Sequence, residues 1–113
     1  MKRNEIYKAN LDQRYGTEAG KIRPVLIVQT DFLNSTHSSV LICPLTTKVQ
    51  SDSHLLRVHL KKGEADLTRD SDIMIDQVRA IDIRRIQSRI GKLSPTKVKE
   101  VEDKLKIVLG FED

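Results

Sequence analysis

Arg23-Pro24-Val25-Leu26-Ile27-Val28 decides how the rest of this chain is read. Four consecutive apolar residues follow a proline, three of them β-branched. A run this short and continuous reads as a central strand buried on both faces. Pro24 opens it at a position where a missing N–H is tolerated. Toward the N-terminus, Asp12 to Lys21 holds two glycines and mixed charge and reads as a long loop, a feature that in small domains is often functional. Before it, Ile6, Tyr7, Ala9 and Leu11 mark a first strand over Glu5–Leu11. Toward the C-terminus, the polar stretch from Thr30 to Ser39 is a second loop, and Val40-Leu41-Ile42-Cys43 is a third strand ended by Pro44.

Past a polar loop over 47–53, Leu56, Val58 and Leu60 alternate with Arg57, His59 and Lys61, the pattern of a strand with one wet face. A turn over Lys62–Asp66 leads to Ile73-Met74-Ile75, a strand expected to continue through Asp76-Gln77-Val78-Arg79. Ile81–Ile86 reads as a short helical turn or strand edge, and Arg89–Leu93 as a last short strand. Ser94-Pro95 predicts a helix start, with serine as N-cap and proline in the first turn. Val98, Val101, Leu105, Val108 and Leu109 recur at helical spacing until Gly110 stops them. Several short strands and one terminal amphipathic helix predict an α+β, mainly β fold of the small-barrel kind, without βαβ units.

At 113 residues the chain fits one domain spanning 1–113. So short a chain buries a limited share of its surface, and dimerisation is expected to help. Charged residues make up 32% of the chain and the net charge is +4, with a pI near 9.3, which favours an anionic partner such as nucleic acid. The single cysteine, Cys43, lies in an apolar run and reads as a small buried hydrophobe, which suits a reducing cytosol. No N-terminal signal-like segment is seen and no run of about 18 apolar residues spans a bilayer. His37, His54 and His59 fit no zinc spacing, so no metal site is expected.

If the second and third strands pair as neighbours, Arg23 and Thr46 converge on one site. A guanidinium fork and a hydroxyl donor are what a phosphodiester site without a metal needs. Thr47 is the adjacent alternative to Thr46, and strand alternation would send the two to opposite faces.

In order and spacing, several blocks resemble the MazF/PemK/Kid family of bacterial toxins. They are Glu5-Ile6-Tyr7, Glu18-Ala19-Gly20-Lys21-Ile22-Arg23-Pro24-Val25-Leu26-Ile27-Val28, the Asn34 loop, Pro44-Leu45-Thr46-Thr47, Asp76-Gln77-Val78-Arg79-Ala80-Ile81-Asp82 and Leu93-Ser94-Pro95. The resemblance implies an SH3-like β-barrel with a C-terminal helix, of the CcdB/Kid/MazF-like kind. It also implies a homodimeric, cytoplasmic mRNA interferase that cuts single-stranded RNA without metal or other cofactor, leaving 2′,3′-cyclic phosphate and 5′-hydroxyl ends. The implied partners are mRNA and a cognate antitoxin, with operator DNA reached only through that antitoxin.

Residue by residue, the resemblance makes Arg23, Thr46 and Glu18 the catalytic set. Arg23 would stabilise phosphoryl charge, with general acid the weaker role because an arginine pKa lies above about 12. Thr46 would donate to a non-bridging oxygen, and Glu18 would act as base on the 2′-OH. Tyr15, Asn34, His37, Thr47, Lys48, Asp76, Gln77 and Arg79 are the implied substrate-binding set; Tyr15 and Phe32, in or beside the groove loops, are open between stacking on a base and packing in the core. The member that uses the aspartate matching Asp76 carries an arginine two residues earlier; here that residue is Met74, which leaves Asp76 open between acid–base and structural roles. Gln77 is likewise open between reading a base edge and pinning a turn. The alternatives in function are a toxin of the same fold that binds DNA gyrase without catalysis, or an RNA-binding protein that has lost cleavage.

Overall fold

The structure is a computed structural model that describes residues 1–12, 16–17, 20–50, 52 and 55–111. Tyr15, Glu18 and His54 lie outside the described residues. Seven antiparallel strands make up one sheet: β1 (Glu5–Asn10), β2 (Ile22–Ile27), β3 (Ser39–Thr46), β4 (Arg57–Leu60), β5 (Ser71–Met74), β6 (Arg79–Asp82) and β7 (Ile86–Lys92). Helix α1 (Asp31–Asn34) sits in the connection between β2 and β3, and helix α2 (Pro95–Leu109) follows β7. The strand order is β4-β5-β3-β2-β1-β7, with β6 also paired to β3. The mainly β architecture with a C-terminal helix is the one expected.

The central position of β2 follows from its composition. Leu26 packs into a core with Ile6, Cys43, Leu45, Val58, Leu60, Ile73, Ile75 and Val101, while Val25 and Ile27 point the other way, to Ala9, Leu11, Val40, Ile42 and Ile81. Alternation along one strand therefore feeds two apolar clusters, and a continuous apolar run is what a strand covered on both faces requires.

Strand β3 differs from expectation, because it runs through Pro44 to Thr46. Its first half, Ser39–Ile42, pairs with β6, and its last two residues, Leu45 and Thr46, pair with β5. Pro44 falls at the step between these two partners, where its missing N–H interrupts neither ladder. The same step explains the break between β5 and β6. The chain runs back along one edge of β3, and a 3₁₀ turn at Ile75–Gln77 carries it past Cys43 and Pro44. The expected continuous strand from Ile73 to Arg79 is thus two strands. The loop after β2 is also more ordered than expected, since Thr30 caps α1 by accepting from Phe32 N–H. Strand β7 starts three residues earlier than expected and is offset against β1 by register shifts.

Helix α2 begins and ends as its sequence dictates. Ser94 Oγ accepts from Lys97 N–H at 3.4 Å, Pro95 takes the first turn, and Gly110 stops the helix in the left-handed region at φ 77°. Val101 enters the core, with Val98, Leu105 and Val108 beside it. Two of its lysines then cover the outer edge of β4: Lys97 Nζ donates to the His59 carbonyl at 2.8 Å and Lys104 Nζ to the Arg57 carbonyl at 2.7 Å. These bonds satisfy edge carbonyls that would otherwise invite another strand. Among the described residues, no helix is long and apolar enough to cross a membrane.

Candidate active site

The β2–β3 register pairs Val25 with Pro44, Leu26 with Cys43 and Ile27 with Ile42. Carried two residues further, it sets Arg23 across from Thr46. Both line one groove of about 510 Å³, together with Thr17, Lys21, Ile22, Pro24, Leu45, Thr47, Lys48, Ser71, Met74 and Gln77. The start of β2, the end of β3, the two ends of β5 and the 3₁₀ turn after it therefore form the walls.

Arg23 is half-buried and oriented by backbone carbonyls on either side. Its Nε donates to Gly20 O at 2.8 Å and its Nη1 to Leu45 O at 3.2 Å. These bonds tie the loop before β2 to the end of β3 and set the plane of the guanidinium. Lys21, just before β2, takes a left-handed φ of 65°, a conformation costing a non-glycine residue about 1–3 kcal/mol and often found where a site imposes it. Its carbonyl is held by Leu11 N–H at 2.8 Å.

Thr46 Oγ1 accepts from Lys48 N–H at 3.1 Å. With that acceptance fixing the hydroxyl oxygen, its hydrogen is directed elsewhere. Thr47 lines the groove as well, contrary to the alternation expected of it, because β3 ends at Thr46 and the chain bends there. Among the described lining residues the charged groups are Lys21, Arg23 and Lys48, three cations without a carboxylate. Such a wall concentrates anions.

Gln77 lies in the groove and its Nε2 donates to Thr17 O at 3.1 Å, linking the 3₁₀ turn to the long loop before β2. Of the other residues singled out in the sequence, Thr47 and Lys48 line the groove, whereas Asn34, His37, Asp76 and Arg79 are not among its lining. Asn34 is buried, its amide donating to Gln29 O and Asp31 Oδ1 and accepting from Gln29 Nε2, so it holds α1 against the segment that follows β2. His37 is exposed in the turn after α1, where its N–H meets Leu33 O at 2.9 Å. Asp76 is exposed on the 3₁₀ turn, and Arg79 begins β6 opposite Ile42. Cys43 is buried; burial first, and then the charge of Asp76, push its thiol up to about 12.

Sequence reading missed Asp72. It is 1% exposed in the middle of β5, with Arg57 and His59 from β4 against its carboxylate. The signal was present: aspartate is depleted in strands, and one inside a strand asks for a partner.

Residues 2–109 match the family described as PemK-like, MazF-like toxin of type II toxin-antitoxin system. The chain is 34% identical over 111 residues to a protein named Endoribonuclease MazF from Staphylococcus saprophyticus, covering 98% of this chain and 92% of that one. Among solved structures, MazF from Deinococcus radiodurans superposes with a TM-score of 0.83 at 23% identity, over 98% of this chain and 97% of the other. A MazE–MazF structure from the same organism matches with a TM-score of 0.78 at 18% identity, over 99% and 97% of the two chains. The match runs along nearly the whole length, from the first strand to the last turn of α2, and on it this chain belongs to the PemK-like, MazF-like toxins of type II toxin–antitoxin systems.

Proposed function

We propose that this MazF-like endoribonuclease toxin cuts single-stranded RNA in the Arg23–Thr46 groove, by attack of a ribose 2′-OH on the adjacent phosphorus. The bond to the 5′-oxygen breaks, giving a 2′,3′-cyclic phosphate and a 5′-hydroxyl. The observation that carries this reading is a groove walled by Lys21, Arg23 and Lys48, with Thr46 in the same lining. Phosphodiester backbone supplies the anion that such a wall attracts.

Arg23, held by the Gly20 and Leu45 carbonyls, meets the non-bridging oxygens and stabilises the charge that builds on them in the transition state. Thr46 donates its hydroxyl hydrogen to one of those oxygens. Glu18 is the proposed base for the 2′-OH, and Tyr15 the proposed stacking partner for a base. Thr47, Lys48 and Gln77 border the path of the strand. The leaving 5′-oxygen takes up a proton from solvent as it departs, while Arg23 keeps its charge on the phosphoryl oxygens.

The MazE–MazF structure supports a cognate antitoxin as this toxin's partner; we place that antitoxin across the groove and the toxin in the cytoplasm as a homodimer. A gyrase-binding toxin of this fold is disfavoured, because the relative over 98% of this chain is named an endoribonuclease. The test is incubation of purified protein with a long single-stranded RNA in EDTA, with cut ends mapped. Discrete cuts bearing 5′-hydroxyls, lost in Arg23→Ala and Thr46→Ala, are expected. An uncut RNA, or cuts that persist in both variants, refutes the reading.

A further inference from the structure

Thr46 owes its orientation to a network that reaches beyond the groove. Its hydroxyl oxygen is held by Lys48 N–H, so it is only as well placed as the Lys48 backbone. That backbone is gripped from the other side by Arg57, whose Nη1 donates to Lys48 O at 2.9 Å. The same Nη1 donates to Asp72 Oδ2 at 3.2 Å, and Asp72 Oδ2 also accepts from Gln50 N–H at 2.8 Å. Asp72 thus binds the loop after β3 twice: directly at Gln50, and at Lys48 through Arg57. Its other oxygen faces His59 Nδ1 at 3.1 Å, and its backbone pairs with Thr46 in the β3–β5 ladder.

We infer that Asp72 is a positioning residue for Thr46, acting through Arg57 and Lys48. A carboxylate excluded from water persists only when paired and hydrogen-bonded. Here its partners are one backbone N–H of the groove-lining loop, at Gln50, and two side chains of β4, Arg57 and His59. The buried charge fixes the loop where the chain would otherwise bend freely after leaving the sheet. A hydroxyl contributes to a transition state only when its hydrogen already points at the oxygen that gains charge. A displacement of about 1 Å at such a group costs on the order of 100-fold in rate.

The inference rests on Thr46 acting in the reaction, and its test separates the two. Single-turnover cleavage of a short RNA is measured over a series of enzyme concentrations up to saturation, the limiting rate standing for kcat and the half-saturating concentration for KM, for wild type, Asp72→Asn, Thr46→Val and the double variant, each checked for folding by circular dichroism. Asp72→Asn keeps the shape and removes the charge. It is expected to lower kcat by about 10- to 100-fold with KM changed less than threefold, and to add less than twofold in the Thr46→Val background. Equal factors in both backgrounds, or a loss carried by KM, overturn the positioning role and leave Thr46 in place. A Thr46→Val enzyme as fast as wild type overturns Thr46 itself, and the inference with it. Should Asp72→Asn fail to fold, Arg57→Gln, which removes the donor to Lys48 O from a partly exposed position, is read by the same cycle.

Discussion

Replacing Arg23 by lysine keeps the charge of the groove and removes the fork, and so separates attraction of RNA from chemistry on it. Arg23 sits with Nε on Gly20 O and Nη1 on Leu45 O, which fix the plane it presents to the groove. Lysine offers one compact ammonium on a flexible stem and cannot bridge two phosphoryl oxygens. Loss of one preorganised donor to a developing oxyanion costs about 10²–10³ in kcat, or ~2.7–4 kcal/mol. Binding should barely change, because the number of cations facing phosphate is the same and the salt dependence of affinity counts those cations. Folding is expected to weaken by ~1–3 kcal/mol from the altered carbonyl contacts, which leaves a typical domain folded at 25 °C. The assay is single-turnover cleavage of a fluorophore-labelled RNA at several salt concentrations, with a thermal melt of each variant. The fork argument predicts a kcat loss of at least about 100-fold and an unchanged slope of log affinity against log salt. A lysine enzyme within about threefold of wild type, or one impaired only in KM with a shallower slope, would show that Arg23 serves as a point charge for binding, against the role derived from transition-state stabilisation.

Three further outcomes follow from the fold. A Cβ on Gly91 would run into the Ala65 carbonyl, where the 3₁₀ turn at Glu64–Asp66 crosses β7, so Gly91→Ala should lose ~1–3 kcal/mol in urea unfolding; an unchanged midpoint would mean the turn yields without cost. Cys43, fully buried with its thiol pushed up to about 12, should resist a disulfide reagent at pH 8 in the native protein and react fully in guanidinium; fast native labelling would contradict its burial. Asp82, hydrogen-bonded by Arg84, has its carboxyl held down at about 2 from 3.8. A depressed folded value means that its stabilisation is present above about pH 4 and is lost as pH falls toward 2. The pair is solvent-exposed, so the effect is small. Thermal melts of wild type and Asp82→Asn should converge across that window, and a constant gap between them would count against the linkage.

How much was legible in the sequence differs by element. The β2 run and the α2 pattern were readable because burial on two faces and a helical apolar stripe are local properties of the chain, reinforced by Ser94, Pro95 and Gly110 at the helix ends. The end of β3 is not legible at Pro44, because whether a proline breaks a strand depends on which neighbour lies beside it, and that neighbour changes from β6 to β5 at this point. The line from Ile73 to Arg79 was read as one strand for the same reason. Arg23 and Thr46 were singled out by family resemblance and by an assumed pairing of two strands, which the β2–β3 ladder contains. Asn34 and His37, named in the same way, lie outside the groove lining, since position in a polar loop does not say which way the loop folds.

The amino-acid order alone determined the mainly β class, the terminal helix and its caps, the central apolar strand, the basic balance and the arginine beside that strand. Each rests on interactions within a few residues, or on composition. Only the tertiary structure decided that Lys21, Lys48 and Gln77 share a wall with Arg23, and that a carboxylate in β5 reaches the loop after Thr46 through an arginine of β4. Those contacts join segments 9 to 60 residues apart in the chain. No local preference encodes them, because they exist only once hydrophobic burial has packed the strands and their loops into one fold.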